Sequence, residues 1–96
     1  MEIRWLRRAL RNLEEEAEYI ARENAAAACR VVRHIRQAVG LLADQPAMGC
    51  PGRVPGTREL IIRSTPYIVP YRVDIRRRRI EILRVFHAAR RLPERW

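Results

Sequence analysis

The stretch from 57 to 93, TRELIIRSTPYIVPYRVDIRRRRIEILRVFHAARRLP, constrains the fold of this chain most. It reads as three short strands in succession, followed by a basic tail. Residues 58–63 are β-rich and stop at Ser64-Thr65-Pro66, a turn signal. Tyr67, Val69, Tyr71 and Val73 then recur with a period of two, as in a strand with one covered face. Residues 80–87 form a third run rich in β-branched and large apolar side chains. Short connections make neighbouring strands antiparallel. Pro70 has no N–H to give the ladder, so a bulge or an unpaired position is expected beside it. Ile82-Leu83 breaks the alternation, which calls for a bulge or for a strand covered on both faces.

The residues before this stretch have helical spacing. Leu6, Leu10, Leu13, Ala17, Ile20 and Ala21 form one apolar stripe. Ala28, Val31, Val32, Ile35, Ala38, Val39 and Leu42 form another. Asn24 stands between them as a candidate cap. The alanines at 25–28 permit close helix approach near the turn. Two helices are expected, over about 7–23 and 25–43, with residues 1–5 as a short edge strand. Residues 44–56 hold three prolines and three glycines, so they form a loop. The expected fold is α+β: an N-terminal helical hairpin packed on a small antiparallel sheet of three or four strands, one domain over 1–96. Leu10, Leu13, Ile20, Val31, Ile35, Leu42, Leu60, Ile62, Val69, Val73, Ile82 and Val85 are the expected core.

Charge is distributed unevenly. Residues 1–44 carry eight arginines against seven acids; residues 45–96 carry twelve against four. The net charge of +9 therefore sits almost entirely in the strand half. That implies an anionic partner, either nucleic acid or an acidic protein. No apolar run approaches the roughly 20 residues of a membrane span. No signal-peptide pattern opens the chain, so a cytoplasmic location and no membrane partner are expected. Cys29 and Cys50 fit no metal spacing, and neither a metal nor a cofactor is expected. Cys29 is expected as a small core residue.

Several segments then match a known pattern. They are Trp5, Ala9…Leu13…Tyr19-Ile20, Asn24 with Ala27-Ala28, and Leu42…Pro46…Gly49. The most specific are Gly56-Thr57-Arg58-Glu59-Leu60, the run from Pro66 to Val73, and the run from Ile82 to Arg90. In order and spacing the chain resembles the RelE/ParE superfamily of type II toxins, and within it the ParE-like branch. The resemblance implies a helical hairpin on an antiparallel sheet. It implies a toxin held inactive by a cognate acidic antitoxin in a hetero-oligomer, in systems associated with plasmid stabilisation. The antitoxin segment is expected to lie along the sheet and helices. Pro70 is usual at its place in ParE-like sequences.

The resemblance also divides the possible activities. RelE-like members cut messenger RNA on the ribosome with several basic side chains. ParE-like members inhibit DNA gyrase and have lost most of that set. Ile68 and Ala88 stand where ribonuclease members place arginine. The expected activity is therefore gyrase inhibition without chemistry by the toxin. Two alternatives stand: ribosome-dependent mRNA cleavage, and a basic nucleic-acid-binding module. Cleavage needs a proton donor, a base and cations around the phosphate. Here His87, Tyr67 or Tyr71 could serve the proton transfer, with Arg58, Arg72 and Arg84 around the phosphate. Contacts to antitoxin or target are expected at Arg58, Arg72, Arg84, Arg90 and Arg91. The ordinary roles compete at each position. His87 is a candidate structural residue at a strand end, Arg58 a bridge to an acid such as Glu81. Arg76–79 is a candidate solvated turn, and its alternative is contact with phosphate.

Overall fold

Asn24 turns the helical half of the chain over on itself. In the computed structural model, which describes residues 1–89 and Trp96, its side-chain oxygen accepts from the Ala27 amide at 2.9 Å. That satisfies one of the free N–H groups at the start of α2 (Ala25–Gly40). The preceding helix is α1 (Arg7–Ala21). A 3-10 turn, Leu41–Ala43, follows α2 and brings Leu42 into the core.

The helices bury stripes slightly rotated from those expected. Helix α1 buries Ala9, Leu13 and Glu16. Leu10, expected in the core, is 37% exposed. One residue is about 100° of helical rotation, and Ala9 takes the inward place beside it. Cys29 is likewise exposed rather than buried. Ala28, Ile35 and Val39 make up the inward line of α2, and Cys29 lies one step off it.

Six strands form one sheet: β1 (Glu2–Trp5), β2 (Cys50–Pro51), β3 (Arg58–Ile61), β4 (Tyr67–Asp74), β5 (Arg79–Ile82) and β6 (Phe86–His87). Their order is β1-β5-β4-β3-β2, with β6 also on β4. The three central strands pair antiparallel, as the short turns require. The sheet is larger than expected, and mixed. β1 lies at its edge parallel to β5, an arrangement permitted by the long crossover through the helices.

The third run splits at a bulge. Tyr71 stands opposite Ile82, but Ile68 stands opposite Phe86. Residues 83–85 therefore face only Val69 and Pro70, one residue too many for a regular ladder. Pro70 falls where the ladder is already interrupted. Its carbonyl still accepts from the Leu83 amide at 2.9 Å.

The core lies between helices and sheet. Ile35, Val39 and Leu42 meet Leu60, Ile62, Val69, Tyr71, Ile80 and Ile82. Each large aliphatic side chain so buried contributes about 1.5–3 kcal/mol. Ile20, Val31 and Val73 pack half-buried at the margin. No helix among the described residues is long and apolar enough to cross a membrane.

Candidate functional site

Residues directly opposite one another in a sheet point to the same face, and successive residues alternate. On β4 this sends Tyr67, Val69 and Tyr71 to the helices. Arg72 and Asp74 go to the outer face, beside Glu81 and Arg79 of β5.

Glu81 is the hub of that outer face. Its Oε1 accepts from Arg72 Nε at 3.0 Å and also from Arg72 Nη2. Its Oε2 accepts from Arg79 Nη2 at 2.9 Å. The carboxylate is almost fully covered, whereas the Arg72 side chain is 53% exposed. Hydrogen bonding from Arg72 holds the Glu81 carboxyl below the usual carboxylate range, against the opposing effect of burial. The trio carries one net positive charge and presents it through Arg72.

Arg72 opens onto a cavity of about 570 Å³, walled by Leu6, Val54, Leu83 and Trp96, with Arg8 at its side. Arg84 approaches the same region. Its Nε donates to Asn12 Oδ1 at 3.0 Å and its Nη1 to the Trp96 carbonyl at 3.1 Å. Its guanidinium lies 4.8 Å from the Phe86 ring centre. Burial, then the charge of Arg8, weakens the hold of Arg84 on its proton. Arg53 covers Trp96 at 5.3 Å and is tied to Glu59 through its backbone amide at 2.8 Å.

Arg58 is not part of this group. It pairs with Tyr71 across the ladder and so points to the helix side. Its Nη1 donates to the carbonyls of Gly49 at 2.7 Å and Ala47 at 3.4 Å. It therefore clamps the 44–57 loop, and Glu81 is taken by Arg72 and Arg79 instead. His87 packs edge-on against Tyr67 at 5.4 Å. Its Nδ1 accepts from the Ala89 amide at 3.1 Å. Arg90 and Arg91 lie outside the described residues.

Two further polar residues join the helices to this end of the sheet. Asn12 Oδ1 accepts from Arg84 and also from the Val85 amide at 3.2 Å. Glu16, one turn later, is buried and accepts from the Tyr67 hydroxyl at 3.1 Å. Sequence reasoning missed both. The available signal was spacing: Ala9, Leu13 and Glu16 fall on one helical face, and a carboxylate there needs a polar partner.

On the opposite side of the molecule, α1 and α2 leave an apolar groove of about 770 Å³. Its floor is Ala17, Ala21, Ala25, Ala28, Cys29 and Val32, and Glu18, Arg33 and Arg36 rim it. The small side chains create this groove by leaving the space between the helices unfilled.

A two-helix hairpin on one face of a mixed sheet is the fold of the RelE/ParE toxins. Residues 3–92 match the family described as ParE toxin of type II toxin-antitoxin system, parDE, and the chain belongs to that family. It is 49% identical over 92 residues to the candidate toxin Y4kP of Sinorhizobium fredii, covering 96% of this chain and 93% of that protein. Its structure is similar to that of the chromosomal ParDE toxin–antitoxin system from P. aeruginosa, with a TM-score of 0.80 and 29% identity, over 91% of this chain and 95% of that one. The RelBE2 toxin–antitoxin complex of Mycobacterium tuberculosis is also similar, with a TM-score of 0.62 and 29% identity, over 90% and 95%. The E. coli RelBE complex shares the fold, with a TM-score of 0.67 at 16% identity, over 93% and 98%.

Proposed function

We propose that this toxin arrests growth by binding DNA gyrase, performs no chemistry itself, and is held inactive by a cognate acidic antitoxin. The observation that supports the non-catalytic reading is the engagement of the four residues a ribonuclease would use. Arg58 is bound to loop carbonyls on the helix side. Arg72 is bound to Glu81 on the other face. Arg84 is held by Asn12 and Trp96. His87 has one ring nitrogen occupied by a backbone amide. General acid–base catalysis needs such groups converging on one phosphate, and these are dispersed over two faces. Ile68, at one position where ribonuclease members carry arginine, is a buried apolar residue.

The antitoxin reading is supported by the solved relatives, which are toxin–antitoxin assemblies. It is supported also by the groove between α1 and α2. An apolar trough whose rim sets Arg33 and Arg36 against one acid, Glu18, suits an acidic amphipathic helix. Opposite charge would speed that association and fix its register. The proposed target places the toxin's action in the cytoplasm.

One pair of assays tests the proposal. The toxin is added to a gyrase supercoiling reaction and to translating ribosomes carrying a labelled message. Inhibited supercoiling with intact message is expected. Message cleaved by the wild-type toxin but left intact by His87→Ala, with supercoiling unaffected, would overturn it in favour of mRNA cleavage. Co-expression with the product of the neighbouring small gene should give a stable complex and restore growth.

A further inference from the structure

The turn between β4 and β5 concentrates cationic charge that the described residues leave mostly unpaired. Arg76, Arg77 and Arg78 are all exposed there, beside Ile75 at 69% exposure. Arg79, the fourth of the run, turns back to Glu81 and is spent on the sheet. Arg76 and Arg78 form no ion pair among the described residues. Arg77 has Asp74 at 3.9 Å, but that carboxylate is also engaged in the turn, accepting from the Arg77 amide at 3.1 Å. The turn closes through the Arg78 amide to the Ile75 carbonyl at 3.2 Å.

Arg78 is the informative residue. Its φ of 52° lies in the left-handed region, where glycine or asparagine is favoured and a long side chain is strained. A turn selected only to join two strands has no use for arginine at that place. Strain kept at an exposed charged position points to a use for the charge.

We infer that this turn is a phosphate-contacting arm that grips the backbone of duplex DNA. Guanidinium forks match phosphate oxygens. A duplex presents them as a rigid, regularly spaced row that needs no enclosing groove. An acidic peptide would need a trough to hold it, and the apolar trough of this protein lies between the helices. Contacts of this kind position a protein on DNA without reading sequence. The inference does not depend on which target the toxin arrests.

The test is the salt dependence of binding to a fluorescein-labelled DNA duplex, followed by anisotropy. Each phosphate contact contributes about 0.9 to the slope of log K against log salt. The variant R76Q/R77Q/R78G should therefore lower that slope by about 2.7. Glycine suits the left-handed position, so this variant keeps the turn and should melt no lower than wild type. A control, R7Q/R11Q/R30Q, removes the same charge from exposed helical positions and should change the slope far less. An unchanged slope in the turn variant would overturn the inference. So would equal losses in both variants, which would mean net charge alone. Turn-dependent binding of a polyglutamate peptide, with DNA binding unaffected, would assign the arm to an acidic protein instead.

Discussion

Gly49 is packed so tightly against Tyr71 that a Cβ there would fall 2.7 Å from the ring's Cε1 and 2.7 Å from its hydroxyl oxygen. The same hydroxyl accepts from the Gly49 amide at 2.9 Å and donates to the Pro46 carbonyl at 2.7 Å. Burial raises the phenol's pKa, so it remains a donor through the physiological range. Gly49→Ala should therefore cost about 1–3 kcal/mol by overpacking. Tyr71→Phe should cost a similar amount, about 1–3 kcal/mol, by stranding the buried Gly49 amide. Urea denaturation of both variants checks this, and a Gly49→Ala midpoint equal to wild type would refute the packing account.

The outer-face hub makes stability depend on acid. The folded pKa of Glu81 lies below the ordinary 4.5. Its contribution is therefore complete above that value and is lost as pH falls through the folded pKa. Glu81→Gln should be less stable than wild type at neutral pH by about 1–3 kcal/mol. The gap should narrow on acidification below about pH 4.5. Denaturation midpoints at neutral pH and at about pH 3 measure it, and a constant gap would contradict the assignment.

Arg58 is predicted to act on the loop. Arg58→Ala removes the cation from the carbonyls of Ala47 and Gly49, at a cost of about 1.5–3 kcal/mol. Limited proteolysis should then cut faster within 44–57, while Arg76→Ala, in the exposed β4–β5 turn, leaves that rate unchanged. Equal protection of this loop in Arg58→Ala and wild type would remove the clamp from the account.

His87→Ala should lose the edge-on contact with Tyr67, worth about 0.5–1.5 kcal/mol. Supercoiling inhibition should persist at temperatures where the variant is folded. A loss of inhibition far beyond the loss of folded protein would mean that His87 meets the target directly.

The fold was legible where one periodicity ruled. The alternation of Tyr67, Val69, Tyr71 and Val73 marked β4, and the Asn24 cap marked the helical turn. Legibility faded where the outcome depended on a distant partner. Leu10 and Ala9 are both apolar, and only the docking of α1 on the sheet decides which faces inward. The parallel seat of β1 cannot be read from its four residues, because it is decided by β5. At the site, charge placed the arginines in the strand half but could not sort them by face. Arg58 and Arg72 look alike in sequence. Register sends one to the loop carbonyls and the other to Glu81, and register is set by pairing across strands.

The seat of β1 has a consequence for how the toxin is made. Glu2 lies beside Arg79 and Trp5 beside Ile82, so β1 waits for a strand synthesised long after it. Contacts so remote in sequence carry a large loop-closure cost and form late. A chain still emerging from the ribosome can build α1 and α2 but cannot close its sheet. The nascent toxin therefore passes through a stage in which its helices are formed while β1 still lacks its partner strand.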